Sequence, residues 1–268
     1  MFAEERKQQI MAILQRTPAV RVTELGRSLK VSVASVRRDL ADLEQSGFLK
    51  RTHGGAVTNQ LATFEPSLAA KEDRYRSEKA AIAAMAARLV RPGDTVFLDS
   101  GSTTRAIALQ LRERRGLTVV TNALNIGWEL ASSSVDLILT GGQVRRGILS
   151  QVGPLAERAL ASFRVDKLFL AANGIDLDKG VTTPNLAEAQ TKRAMVESAG
   201  EVILVADHSK FGRVTFSHIC DLDRVHTIIT DDALPRRLAA AMQKRGVKLH
   251  LVAVRRPAET PMQRKRRA

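Results

Sequence analysis

The stretch Ser32 to Leu43, SVASVRRDLADL, decides how this chain is read. Val36, Leu40 and Leu43 fall at i, i+4 and i+7, which makes one buried stripe on a helix. Ser32 is positioned to cap that helix. Ser32, Ala34, Ser35, Arg37 and Arg38 then point away from the core in its first two turns. Just upstream, VTELGRSLKV (Val22 to Val31) predicts a shorter helix with Leu25 and Leu29 on its apolar face, Thr23 as its cap and a turn at Lys30-Val31. Just downstream, Phe48-Leu49-Lys50-Arg51 alternates and runs into His53-Gly54-Gly55, a tight turn that lets a strand reverse. Two arginines on a helix face are commonly only solvated surface. Followed by a basic ribbon they specify a winged helix-turn-helix, because the start of a recognition helix touches base edges and small residues there let the backbone approach the groove. The candidate DNA contacts are Ser32, Ser35, Arg37 and Arg38 on the helix, with Arg51 and His53 on the wing.

Outward from this module, residues 4–17 predict a first helix with Ile10, Ile13 and Leu14 on one face, and Val20 to Val22 a short strand pairing with the wing. At 268 residues and 44% hydrophobic content the chain has room for two domains with real cores, which excludes general disorder. No apolar run reaches the 18 residues of a membrane span, and the start lacks the order of a signal peptide. The sole cysteine, Cys220, cannot form an internal disulfide and fits a reducing cytoplasm as a small buried side chain. The net charge is +14, with its densest patch in the tail Arg264-Lys265-Arg266-Arg267. Such a tail is either a sequence-blind phosphate binder or a solubilising end.

Residues 59–74 read as a Pro-interrupted linker between a DNA-binding domain (1–58, helix-turn-helix about 20–39) and a second domain over 75–254, with 255–268 as a basic tail. From Ser77 an Ala-rich helix runs to Val90. Beyond it, short apolar strands alternate with helices: strands at Thr95, Leu117, Val135, Leu168, Val202, Thr227 and Lys248, helices between them. That alternation predicts a Rossmann-like parallel sheet covered on both faces. In such sheets ligands bind at the carboxyl ends of strands. The first strand ends in Asp99-Ser100-Gly101-Ser102-Thr103-Thr104 and opens a helix, whose free N–H groups and dipole suit a phosphate, although Ser and Thr could equally be caps. Neither a Walker loop nor GxGxxG is present there, so nucleotide binding is disfavoured. Other strand ends carry Thr121-Asn122, Gly141-Gly142, Asn173-Gly174 and Asp207 to Lys210. Lys210 is the expected partner of an anion, and Asp207 or Asp99 of sugar hydroxyls. Glu188 and Lys192, at i and i+4, form either a surface ion pair or a pocket wall.

Several of these motifs carry a resemblance. Val36-Arg37-Arg38-Asp39-Leu40 with Leu49-x-Arg51-x-His53-Gly54-Gly55-Ala56 resembles the DNA-binding module of DeoR-type bacterial transcription regulators. Asp99 to Thr104, Thr121-Asn122, Gly141-Gly142, Thr191 to Met195 and Asp207-x-Ser209-Lys210-Phe211-Gly212 resemble the effector domain of the same family, itself similar in fold to ribose-5-phosphate isomerase. The resemblance implies operator DNA and a phosphorylated sugar as partners, no cofactor, and a homo-oligomer (dimer or tetramer) that represses a carbohydrate operon until the sugar releases it. Gly180 to Asn185 followed by Glu188-Ala189 resembles the family's amino-sugar regulators. The alternative is an active isomerase with a DNA-binding appendage. Against it, Ala171-Ala172-Asn173-Gly174-Ile175-Asp176 offers amide and aliphatic groups where the isomerases place acids, leaving only Asp176.

Overall fold

A computed structural model describes residues 6–7, 9–10, 13–14, 17, 19–45, 49–52, 54–58 and 65–254, with the side chains of 45, 50 and 58 excepted. The chain divides into two compact units, Met1–Glu65 and Pro66–Ala268.

In the first unit β1 (Ala19–Arg21) leads directly into a helix, Val22–Leu29, and then a second, Val33–Gln45. Ile10, Leu14, Leu25, Leu29, Val36, Leu40 and Leu43 are buried together, so the predicted stripes do form one core. The turn is made by Lys30 in the left-handed conformation (φ 54°), its N–H reaching the carbonyls of Arg27 and Gly26. Thr23 does not cap the first helix. The helix starts one residue earlier, at Val22, because Arg21 holds the cap position and its N–H donates to Glu24 at 3.4 Å. Ser32 does accept from Ser35 N–H at 3.1 Å. β2 (Leu49–Thr52) and β3 (Gly55–Thr58) form an antiparallel wing, and β3 also pairs with β1, giving the order β1-β3-β2. Gly55 is required by closeness: a Cβ there would lie 1.9 Å from the Val20 carbonyl oxygen on β1.

The second unit is built on a seven-stranded parallel sheet in the order β15-β14-β12-β9-β4-β5-β6. These strands are β4 (Thr95–Leu98), β5 (Thr118–Thr121), β6 (Asp136–Leu139), β9 (Val165–Leu170), β12 (Ala199–Val205), β14 (Thr227–Asp231) and β15 (Lys248–Val252). One face is covered by helices Arg76–Arg88, Ser102–Leu111 and Leu124–Leu130, packed through Ile82, Ile107 and Ile126. The other is covered by helices Pro154–Ala161, Leu186–Ser198 and Arg236–Lys244, through Leu160, Met195 and Met242. The central strands are buried on both faces and need no alternation, which is why they read as continuous apolar runs, while the edge strands β6 and β15 are partly exposed. The chain builds outward from β4 through β5 to β6, then returns to β9 and builds the other way. The order therefore reverses between β4 and β9.

Two features are absent from the sequence reading. A hairpin, β7 (Gln143–Arg145) and β8 (Ser150–Val152), follows β6, and an antiparallel sheet β10-β11-β13 (Gly174–Asp176, Gly180–Thr183, Ser217–Cys220) is appended. Part of the segment expected to be a linker is ordered instead: Leu68–Asp73 is a helix capped by Ser67, whose hydroxyl accepts from Ala70 N–H at 3.3 Å.

Candidate functional site

On the DNA-facing module Ser32, Arg37 and Arg38 are exposed and Ser35 is half-buried, while Val36 and Leu40 are buried. Asp39, between these faces, is buried and takes a bidentate pair from Arg6, with the second contact 2.8 Å. That pair ties the chain at Arg6 to the recognition helix, Val33–Gln45, while Arg37 and Arg38 stay exposed. Val33 is 37% exposed beside Ser32 and Ala34, an apolar side chain on the outward face that the sequence reading passed over. Arg51 on the wing is exposed, its N–H donating to Glu44 at 2.7 Å and its side chain 3.5 Å from the same carboxylate. His53 and the tail from 255 lie outside the described residues.

In the second unit the reversal of strand order opens the crevice where α/β sheets bind ligands. The end of β4 supplies Asp99 and the end of β9 supplies Ala171. Asp99 is fully buried. One of its oxygens accepts from Ser100 N–H at 2.7 Å, and the other from Ala171 N–H at 2.9 Å and from the Lys192 ammonium. Lys192 also donates to the Ala171 carbonyl at 3.0 Å and lies 3.6 Å from Glu188. Glu188 is bonded to Arg145 of the hairpin and to the Ser100 hydroxyl, the latter at 3.5 Å. Glu188 and Lys192 are 2% and 1% exposed, so they are not a surface ion pair. Two carboxylates and two cations alternate, and the mutual pairing offsets the large penalty of burying each charge.

Several of the expected contact residues carry bonds within the protein. Asp99 takes hydrogen bonds on both oxygens from the protein itself, so in this structure it braces the crevice floor. Thr121 donates to the Leu98 carbonyl at 2.7 Å and accepts from Ala123 N–H, and Thr104 donates to the Gly101 carbonyl at 3.0 Å. Both threonines are fully buried and brace the backbone. What remains facing outward in the loop is half-buried Ser102, with Thr103 beneath it. Gly101 caps the helix at φ 158°, ψ 167°, and the first intrahelical bond is Arg105 N–H to Gly101 oxygen. The N–H groups of residues 102–104 precede that bond and form a donor-rich helix start. Gly101, Gly141, Gly142, Asn173 and Arg145 are half-buried around the crevice. Asn173 accepts from the Thr183 hydroxyl at 3.3 Å.

Asp207 and Lys210 lie at the end of β12, separated from β4 by β9, so roughly 10 Å of sheet divides Lys210 from the loop. Lys210 sits 3.9 Å from Asp207, and burial holds its ammonium below the ordinary lysine range. Nearby, buried Lys79 donates to the Arg74 and Lys71 carbonyls, and burial pushes its pKa down to about 8. His208 pairs with buried Asp231 at 2.7 Å and meets Tyr75 edge-on. Asp176 accepts from the N–H groups of Asp178 and Lys179 at 2.9 and 3.0 Å, so its carboxylate closes the β10–β11 turn. Among the described residues no His, Cys, Asp and Glu cluster suits a metal ion.

A winged helix-turn-helix joined to an α/β unit with a charged crevice at its strand-order reversal defines a DNA-binding transcription regulator with a built-in sensor. The model of the DeoR-like helix-turn-helix domain matches residues 6–61, and that of the DeoR C terminal sensor domain matches residues 74–232. The chain belongs to the DeoR family. It is 38% identical to a putative aga operon transcriptional repressor of Escherichia coli O157:H7, over 92% of this chain and 93% of that protein. It is 40% identical to the transcriptional repressor AccR of Agrobacterium fabrum, over 85% and 89% respectively. The HTH-type transcriptional regulator GlpR of Haloferax volcanii is 36% identical, over 92% and 97%. Among solved structures, a D-ribose-5-phosphate isomerase in complex with phospho-erythronic acid matches with TM-score 0.38 at 15% identity, over 50% of this chain and 52% of that one.

Proposed function

We propose that this regulator represses a carbohydrate transport or catabolism operon in the cytoplasm and is released from its operator by a phosphorylated sugar. The observation that carries the effector is the crevice at the strand-order reversal, where a donor-rich helix start at residues 102–104 adjoins a polar, charge-balanced wall. The first groups suit a phosphate and the second a hydroxylated body. An amino-sugar phosphate is the particular class to try first. Ser32, Ser35, Arg37 and Arg38 contact operator bases and phosphates, with the wing residues Arg51 and His53 adding backbone contacts. The effector acts by favouring a state that fits DNA poorly, and DNA must weaken effector binding equally.

The protein binds its effector without converting it. The one acid of the segment after β9, Asp176, is committed to a turn. Two copies assemble, because one recognition helix reads too few bases for useful specificity. Trp128 (84% exposed) and the exposed edge-strand residues Ile138 and Leu139 offer apolar surface for that assembly.

The test is operator binding measured with and without sugar phosphates. Arg37→Ala and Arg38→Ala should each cost about 1–3 kcal/mol of specific affinity. Ser102→Glu should bind operator normally yet stay bound in the presence of the releasing sugar phosphate, since a carboxylate would occupy the phosphate position. Release of Ser102→Glu at the parent's effector concentration would refute the phosphate assignment.

A further inference from the structure

The chain's one tryptophan, Trp128, stands on the helix Leu124–Leu130 and is 84% exposed, more than any other large apolar side chain among the described residues. A single apolar side chain on a surface needs no explanation, but Trp128 has apolar company. Its neighbour Gly127 makes room for Leu139 of β6: a Cβ there would lie 2.8 Å from Leu139 Cδ2. Leu139 and Ile138 are exposed on this outermost strand of the sheet. Leu109, also exposed, stands one turn beyond Arg105 on the helix Ser102–Leu111.

Trp128 also forms one side of an open groove of about 410 Å³. Leu68, Leu124 and Leu149 give the groove its apolar lining. Its polar lining comes from Arg105, which pairs with both Glu72 and Glu129. One surface therefore carries a large apolar knob and a partly apolar hole side by side. About a two-fold axis such a patch meets itself, so each copy's knob can enter the other's hole. The volume lies in the lower part of the roughly 300–1,000 Å³ range of pockets that enclose a small molecule, ample for an indole. An indole N–H needs an acceptor once it leaves water, and the carboxylates of Glu72 and Glu129 supply one.

We propose that Trp128 of one copy seats in this groove of a second copy, and reciprocally, making the groove the anchor of the contact between them. The inference rests on the two-copy reading above. Burying two indoles removes roughly 300–500 Å² from water, about a quarter of the ~1,600 Å² of a stable interface. The exposed Leu109, Ile138 and Leu139 extend the contact around them. Tryptophan is among the residues that most often carry the binding energy of an interface. Seated there, the indole meets Leu68 and Glu72 on the segment entering this unit. It also meets Arg105 on the helix that opens at the 102–104 loop. Assembly and effector binding then draw on the same side chains.

With a single tryptophan, the fluorescence of the full chain reports on position 128 alone. Sedimentation gives the size of the assembly, and circular dichroism checks that each variant keeps the fold. Where the parent self-associates, its tryptophan should resist quenching by acrylamide, and dilution to the monomer should open it. Trp128→Ala should weaken self-association roughly a thousandfold with the fold unchanged. An anchor tryptophan is worth about thirtyfold, and the two-fold axis removes it twice. Trp128→Phe, which still fills the groove, should weaken association far less. An assembly whose tryptophan is quenched as freely as free indole is built on another face, and so is one that survives Trp128→Ala. Either result overturns the inference and leaves the two-copy reading standing; the quenching result needs no variant. A parent that stays a monomer at the highest concentrations removes the two-copy reading and this inference with it.

Discussion

At the residue scale, the crevice is organised by a charge pair that no periodicity announces. Asp99 and Lys192 are 93 positions apart and both fully enclosed. Removing one member strands the other in a medium where an unpaired charge is very costly. Lys192→Met should therefore destabilise the second unit by about 3–5 kcal/mol, read as a shift in urea midpoint; a change below about 1 kcal/mol would show that water reaches Asp99. Lys79 gives a pH signature. Its pKa is about 8 when folded, because burial disfavours the ammonium, and about 10.4 when unfolded. Between those values the unfolded chain holds the extra proton, so this group's contribution to stability rises from pH 8 towards 10.5 and is lost as pH falls through 8. Lys79→Met should gain on the parent more at pH 7.5 than at pH 10. An equal difference at both pH values would show the lysine is solvated. The residue types at the strand ends were legible in the sequence, but their division of labour was not. A threonine that braces a backbone and one that meets a ligand read alike, and only the partners of Thr121 and Thr104 separate them.

Elements follow the same logic. Helices and central strands were readable because each buries a periodic or continuous apolar face, as Val36, Leu40 and Leu43 do. The β7–β8 hairpin was not, and the reason is local. Its turn places Leu149 at φ 57°, where Gly or Asn would have signalled a reversal. Arg145, which pairs with Glu188, therefore stayed invisible as a neighbour of the crevice, although the paired glycines at 141–142 mark where the hairpin leaves β6. The wing shows the converse, a signal read correctly for the wrong reason. Gly54-Gly55 marks the reversal, yet the constraint at Gly55 is the β1 backbone against it. Gly55→Ala should break the β1–β3 pairing and cost at least about 1–3 kcal/mol, as overpacking does. Gly54→Ala should be tolerated, because nothing lies within 4 Å of its Cβ position. Equal melting temperatures for the two variants would contradict the close approach.

At the scale of the whole molecule, an effector crevice regulates DNA binding only if its state reaches the chain that leads to the helix-turn-helix. The segment entering the sensor unit is tied to both edges of the crevice region. Leu68 N–H donates to the Gly147 carbonyl in the β7–β8 turn at 2.9 Å, and Glu72 pairs with Arg105 at 3.4 Å. Arg105 stands one turn into the helix that begins at the phosphate loop, and its other arm holds Glu129. An open groove of about 410 Å³ lies between these groups, lined by Leu68, Arg105, Trp128 and Leu149. Anion binding at residues 102–104 would pull on this helix start, and Arg105 is the charged link from there to Glu72. Arg105→Ala should therefore keep most affinity for the sugar phosphate, because the side chain is not among the phosphate donors, while losing much of the operator release. The two are measured separately, effector affinity by calorimetry without DNA and release by operator binding at saturating effector. Coupling free energies in such systems are about 1–3 kcal/mol, so release should weaken by roughly 5- to 150-fold in the shift of operator affinity. A variant that binds effector as the parent does and is released just as completely would show that the signal bypasses this segment.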